Sequence, residues 1–124
     1  MSKSQISSRR KKATSQLSVK LPSKRVRVKF LIIYELEGCQ KAVNFLTKYY
    51  GIKRIRIILD GKRVGKNCIG YYEKNRAYFT REGLNKRIVL HELYHHIICK
   101  NDIELSERLE EKEANNYARD FISI

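Results

Sequence analysis

The last third of the chain carries the clearest pattern of apolar and polar positions. Apolar side chains recur three or four residues apart in residues 85–100, and again in residues 104–121. An α-helix turns once in about 3.6 residues, so this spacing gathers the apolar side chains on one side of a helix. Asn101 and Asp102 interrupt the pattern between the two segments. The sequence therefore predicts two consecutive helices here.

Shorter patterns precede these helices. Residues 38–50 have apolar side chains at helical spacing and are followed by Gly51, a residue typical of helix ends. Residues 53–60 alternate basic residues with isoleucine and end in Asp-Gly, which predicts a strand followed by a turn. Residues 68–80 are rich in aromatic residues on both sides of Glu-Lys-Asn, which predicts a β-hairpin.

Residues 25–36 are ambiguous, because they alternate at first and then become almost wholly apolar. Their period does not decide between a strand and the start of a helix. In chain order the other predicted elements are a helix, a small sheet and two helices, which is an α+β arrangement. A chain of 124 residues has room for one domain, and we predict it over residues 21–124.

Basic residues are concentrated at the N-terminus. The net charge is +14, and the first 34 residues contain ten Lys or Arg and no acidic residue. Residues 1–20 are rich in Ser, Lys and Arg, which predicts a disordered basic tail. Such a tail either contacts the phosphates of a nucleic acid or serves as a solubilising arm, and the composition favours neither.

The remaining composition concerns the compartment. No apolar run is long enough to cross a bilayer, and no apolar segment typical of a signal peptide follows the basic N-terminus. The three cysteines are widely spaced and form no CxxC motif, which is typical of a reducing environment. We therefore expect a cytoplasmic protein without membrane contact, and the sequence does not determine its oligomeric state.

All three histidines lie in HELYHH, residues 91–96. His91 and His95 are four residues apart, so on a helix they project from nearly the same side and can bind one Zn²⁺. Glu92 is rotated by about 100° from His91 and can take the proton of a zinc-activated water that attacks a carbonyl. The HExxH pattern therefore predicts two zinc ligands and a general base. The alternative is a pair of half-buried histidines on a core helix.

Spacing alone does not assign the third ligand. A catalytic zinc ion takes three protein ligands, and no histidine follows His96, so a carboxylate or Cys99 must supply the third, although a small buried side chain is the alternative for Cys99. Glu113 lies on the apolar side of the last helix, where a carboxylate is costly unless it is paired or bound to a metal. Glu110 lies near that side too, so periodicity leaves both as candidates. The other glutamates of this segment are expected to be solvated charges: Glu104, Glu107 and Glu111.

These motifs resemble those of the gluzincin metallopeptidases. HELYH followed by EKEANNYARDF is similar to the paired motifs of the ImmA/IrrE group, and the small size is similar to that of the minigluzincins. The resemblance covers roughly residues 40–121. It implies a zincin-like fold with a small twisted sheet, zinc bound by His91, His95 and Glu113, and Glu92 as the general base.

The resemblance also implies a function, namely that of a zinc-dependent endopeptidase. Its peptide substrate would run antiparallel to an edge strand within residues 69–80. The C-terminal FISI follows the last helix closely, so we hypothesise that this apolar end covers the site and keeps the enzyme latent. The spacing assigns no oxyanion-stabilising residue, since aromatic packing explains Tyr71, Tyr72 and Tyr78 better.

Two alternatives stay open. One is a DNA-associated regulatory protein that keeps the zincin scaffold with structural or vestigial zinc and places its basic tail on phosphates. The other is a metal-free structural domain.

Overall fold

The computed structural model of the protein describes residues 18–65 and 68–124, so most of the predicted tail lies outside the described residues. The described residues form four helices and a small three-stranded sheet. In chain order the elements are α1 (Lys24–Glu37), α2 (Cys39–Tyr50), β1 (Arg56–Leu59), β2 (Gly70–Glu73), β3 (Arg76–Phe79), α3 (Lys86–Lys100) and α4 (Glu107–Ile122).

The segment with the ambiguous period forms helix α1. The hydroxyl of Ser23 caps the helix by accepting a hydrogen bond from the amide of Val26 at 3.3 Å. Val26, Phe30 and Ile33 follow one another at helical spacing and all pack against the core. The side chains of a strand alternate between two faces, so a strand would not bring these three residues to one side. Burial on one face therefore explains the helix.

Helix α2 follows α1 directly. Gly38 joins the two helices with a φ of 101°, and Gly51 ends α2 with a φ of 68°. Both values lie in the region that favours glycine. The predicted helix over residues 38–50 is confirmed, and its buried side faces the core through Ala42, Val43 and Leu46.

The sheet has the strand order β1-β3-β2. β2 and β3 pair antiparallel, which confirms the predicted hairpin, whereas β1 pairs parallel with β3. The side chain of Gln40 blocks the free edge of β1: its amide oxygen accepts from the Ile57 amide and its amide nitrogen donates to the Ile55 carbonyl, both at 2.9 Å. Among the described residues, β2 is therefore the edge of this sheet that stays open.

Helix α3 lies between the sheet and α4, and it contacts both β2 and α4. Asn85 caps α3 by accepting from the Ile88 amide, and Ser106 caps α4 by accepting from the Leu109 amide, each at 3.1 Å. The two helices predicted from the apolar spacing are confirmed, and this packing fixes the position of HELYHH beside β2.

Gly83 should be essential for stability. A Cβ atom at this position would lie 1.8 Å from the carbonyl oxygen of Ile69, which itself accepts from the Thr80 amide at 3.1 Å. The new Cβ is fixed to the backbone and so is the Ile69 carbonyl, so neither atom can move aside by a side-chain rotation. Gly83→Ala should therefore destabilise the fold by more than about 2 kcal/mol. Thermal unfolding followed by circular dichroism measures this. Gly61→Ala is the control, because its Cβ would meet only Thr80 Cγ2 at 3.7 Å. Equal melting temperatures for the two variants would contradict the prediction.

The predicted α+β class agrees with the mixed helices and sheet, but two helices rather than one precede the sheet. Packing also begins earlier than predicted, since Val19, which the sequence places in the tail, is only 7% exposed and belongs to the core. Within the described residues, no helix combines the length and apolar character that a membrane crossing requires.

Candidate metal centre

His91 and His95 lie one turn apart on the side of α3 that faces α4. Their Nε2 atoms are 3.3 Å apart, and their ring centroids are separated by 5.0 Å. Both side chains are mostly buried but border an open cleft. The helical spacing of four residues therefore does what the sequence predicts and directs two imidazole nitrogens to one point.

The carboxylate beside both histidines belongs to Glu111. Its two oxygens lie 3.2 Å from His91 Nε2 and 2.6 Å from His95 Nε2. One ligand atom from each of these three residues falls within 4.8 Å of the others. The sequence treated Glu111 as a solvated charge, and its side chain is indeed half exposed, but α4 directs it across the cleft towards α3.

Glu113, the third ligand implied by the resemblance, lies elsewhere. Its carboxylate accepts a hydrogen bond of 2.5 Å from the Tyr94 hydroxyl and two from Ser18, at 3.2 Å from the amide and 3.3 Å from the hydroxyl. Residues 111 and 113 are about 200° apart around a helix, so α4 cannot present both to the histidines. The structure thus places Glu113 in a buried polar network, where it has the partners that a buried carboxylate needs.

The remaining candidates lie around the cluster. The Glu110 carboxylate is 2.6 Å from Nδ1 of His95, on the side of the ring opposite Glu111. A carboxylate there favours a proton on Nδ1, so that the lone pair of Nε2 can bind a metal ion. Such a carboxylate is the usual support for a metal-bound histidine. Cys99 borders the same cleft but is not part of the cluster. Burial lowers the pKa of His91, although the charge of Glu111 opposes this shift.

Glu92 is buried beside the cluster, with Oε2 4.0 Å from His91 Nε2. Burial raises the pKa of Glu92 to about 7, and the charge on His95 opposes this shift. Gly70 of β2 packs closely against it, because a Cβ atom there would lie 3.1 Å from Glu92 Oε2. The carboxyl group is therefore held between α3 and the open edge of the sheet, where proton transfer to a bound substrate is feasible.

His96 points away from the cluster. Its Nδ1 lies 2.8 Å from the Tyr72 hydroxyl and its Nε2 lies 2.6 Å from the Lys53 carbonyl oxygen. Burial lowers its pKa, which is consistent with an uncharged ring that ties α3 to the sheet. Tyr72 is thereby fixed at the cleft wall, and its hydroxyl also accepts from the Asn75 amide at 3.3 Å.

The cleft itself runs between β2 and the segment from the end of α3 to α4. Its walls combine apolar side chains with carboxylates, for example Tyr71, Ile98, Leu105, Glu107 and Glu111. The C-terminal residues do not line it. Arg27 of α1 instead donates to the carbonyls of Asp120, Phe121 and Ser123, so the chain end lies against α1 rather than over the histidines. The position of the chain end therefore does not support the hypothesis that FISI covers the site.

The cluster offers ligand atoms that could hold a divalent metal ion. Two imidazole nitrogens and one carboxylate oxygen are a donor set that zinc takes in catalytic sites. Two ligand atoms bound tetrahedrally at about 2.0–2.1 Å would be roughly 3.3–3.4 Å apart. The two Nε2 atoms are 3.3 Å apart, and one oxygen of Glu111 lies 3.2 Å from His91 Nε2. Its other oxygen lies at hydrogen-bond distance from His95 Nε2, 2.6 Å, and would have to move outward when an ion binds.

The period of α4 contains a weak signal for Glu111. Glu111 precedes the buried residues Ala114 and Ala118 by three and seven positions, so it flanks the apolar side of α4. The period therefore places Glu111 at the edge of the apolar side of α4, but it does not determine how α4 is rotated about its axis.

The chain matches no protein-family model, no curated protein and no solved structure.

Proposed function

We propose that the protein is a zinc-dependent peptidase of the gluzincin type. The observation that carries the proposal is the convergence of His91, His95 and Glu111 within 4.8 Å, with the carboxylate of Glu92 beside them. The proposal keeps both histidines and the general base predicted from HELYH. It replaces Glu113 by Glu111 as the third ligand.

The chemistry divides between the metal and the chain. When bound, zinc polarises the peptide carbonyl and lowers the pKa of water towards about 7. Glu92 accepts the proton of the attacking water and delivers it to the leaving amine. Glu110 orients the His95 ring through Nδ1, and the buried position of Glu92 keeps its carboxyl group directed at the cleft. Tyr72 is held at the cleft wall by His96 and can contact a bound peptide there.

The open edge of β2 supports an extended peptide substrate. The Thr80 amide donates to the Ile69 carbonyl, so residues 69, 71 and 73 direct their backbone groups towards β3 in the antiparallel alternation. Gly70 and Tyr72 then direct theirs away from β3, along the cleft that holds Glu92. A peptide that pairs with these groups would lie in the cleft that His91, Glu92 and His95 also line.

The direct test is hydrolysis of an unfolded protein substrate by the full chain with one equivalent of zinc. We expect cleavage that stops on chelation of zinc and returns when zinc is added back. Cleavage that is unaffected by chelation would indicate a contaminating or metal-independent activity. Absence of cleavage together with absence of zinc binding would remove the proposal.

The close approach of Gly70 to Glu92 provides a prediction about activity. In Gly70→Ala the new Cβ would lie 3.0 Å from Ile88 Cγ2, 3.1 Å from Glu92 Oε2 and 3.3 Å from Glu92 Cγ, so both side chains must shift by a few tenths of an ångström. The fold should tolerate this change, but the carboxylate must move. We expect kcat/KM to fall by about tenfold or more, because small displacements of a catalytic group are costly. Steady-state kinetics measures this, with Gly61→Ala as the control. Unchanged kinetics would mean that Glu92 has room to adjust.

A further inference from the structure

The face of the sheet opposite the core has an unusual composition. Residues paired directly across neighbouring strands share a face, and on one face Ala77 and Phe79 are fully buried in the core. The other face, here called the outer face, consists of Arg56, Ile58, Tyr71, Glu73, Arg76 and Tyr78. It therefore combines two arginines with two tyrosines.

The charges of the outer face are not balanced. Arg56 and Arg76 lie side by side on the parallel strands, and both are exposed. Like charges at neighbouring strand positions are destabilising. Glu73 is the register partner of Arg76 across the hairpin, but among the described residues neither arginine lies within ion-pair distance of a carboxylate. An anion between the two guanidinium groups would relieve the repulsion.

The surroundings extend this positive surface. Residues 53–65 and 68–81 contain eight Lys or Arg but two acidic residues, Asp60 and Glu73. Both are already engaged: Glu73 lies 3.5 Å from Arg63, and Asp60 accepts from the Lys62 amide at 3.1 Å. Residues 100–124, which include α4, contain seven acidic and four basic residues. A polyanion is thus attracted to the sheet and repelled from α4.

The tyrosines add a second kind of contact. Tyr71 is 41% exposed, and its ring stacks on that of Tyr78 with centroids 6.3 Å apart and an angle of 25° between the planes. The guanidinium group of Arg63 covers the Tyr78 ring at 4.8 Å. Tyr71 consequently presents a supported aromatic ring next to arginines, and nucleobases stack on such rings.

We infer that the outer face binds single-stranded nucleic acid. Arg56 and Arg76 contact the phosphates, and a base stacks on Tyr71. An acidic peptide would use the arginines but has no need of an exposed ring, so the exposed aromatic ring favours a nucleic acid. The inference does not depend on the metal centre, because none of these side chains belongs to the candidate metal cluster.

The test measures fluorescence anisotropy of labelled oligothymidylate and oligouridylate on the full chain, over a range of salt concentrations. Arg56→Glu/Arg76→Glu should weaken binding by more than about tenfold and lower the slope of log K against log salt by about 1–2. The matched control is Lys24→Glu/Lys48→Glu, which makes the same change in net charge at exposed positions of α1 and α2. Circular dichroism verifies that all variants fold.

Tyr71 separates stacking from charge. Tyr71→Ala should weaken binding by about tenfold and Tyr71→Phe should restore it, since phenylalanine keeps the ring. Equal losses in the arginine variant and its control would assign binding to general charge or to the N-terminal residues and overturn the inference. If Tyr71→Ala has no effect and polyglutamate competes as well as the oligonucleotides, the face binds acidic protein segments instead.

Discussion

Replacing Glu111 by alanine is expected to weaken zinc binding by more than about 100-fold. Glu111 is the carboxylate whose oxygens lie 3.2 Å from His91 Nε2 and 2.6 Å from His95 Nε2. Without it, two histidines remain as protein ligands, and loss of mere supporting residues already costs about 10–100-fold in metal affinity. Competition with a chromophoric chelator, followed by metal analysis of the desalted protein, measures the change.

Glu113→Ala is the informative partner of this variant. It removes the acceptor of the 2.5 Å hydrogen bond from Tyr94, so the protein should keep its zinc but lose about 1–3 kcal/mol of stability. Glu104→Ala changes an exposed glutamate that precedes α4 and does not line the cleft, so it should affect neither property. The reverse pattern, with zinc lost in Glu113→Ala and kept in Glu111→Ala, would support the ligand set implied by the resemblance. It would also mean that helix α4 rotates when the metal binds.

Replacing Glu92 by glutamine is expected to abolish peptide hydrolysis almost completely, with a loss of about 10²–10⁴ in kcat. Glutamine has the same shape, but it cannot accept the proton of the attacking water. Glu92 is not within the cluster of His91, His95 and Glu111, so zinc content should stay near that of the natural protein. Single-turnover cleavage of the unfolded substrate, with zinc measured in the same samples, tests both expectations.

The Glu92→Gln variant should change the chemistry of the carboxyl group without changing the packing around it. Its side chain is 7% exposed, and the unchanged volume of glutamine preserves its contact with Gly70. The melting temperature should therefore stay close to that of the natural protein. A variant that keeps both zinc and activity would exclude Glu92 as the general base. A variant that loses zinc would instead show that Glu92 supports metal binding.

If both the metal centre and the outer face function as proposed, the protein separates two surfaces of opposite charge. The carboxylates of α4 lie across the cleft from β2, whereas the arginines of β1 and β3 lie on the opposite face of the sheet. Tyr71 borders both surfaces, because it lines the cleft and also carries the exposed ring of the outer face.

The sequence by itself determined the features that depend on local periodicity. The spacing of apolar side chains predicted α2, α3 and α4, and Glu-Lys-Asn between aromatic runs predicted the hairpin of β2 and β3. The facing of His91 and His95 also follows from helix geometry alone, because four residues are slightly more than one turn. These features need no knowledge of the rest of the fold.

Tertiary structure decided the features that depend on how elements meet. Residues 25–36 form a helix because one of its faces is buried, with Phe30 against Phe121. The parallel pairing of β1 with β3 is likewise not specified by the local sequence of either strand. The choice of carboxylate beside the histidines also depends on how two elements meet. A buried carboxylate needs a partner, but a metal and the hydroxyl of Tyr94 satisfy that need equally well. The rotation of α4 against α3 turns Glu113 to Tyr94 and Glu111 to the histidines, and the period of α4 leaves that rotation undetermined.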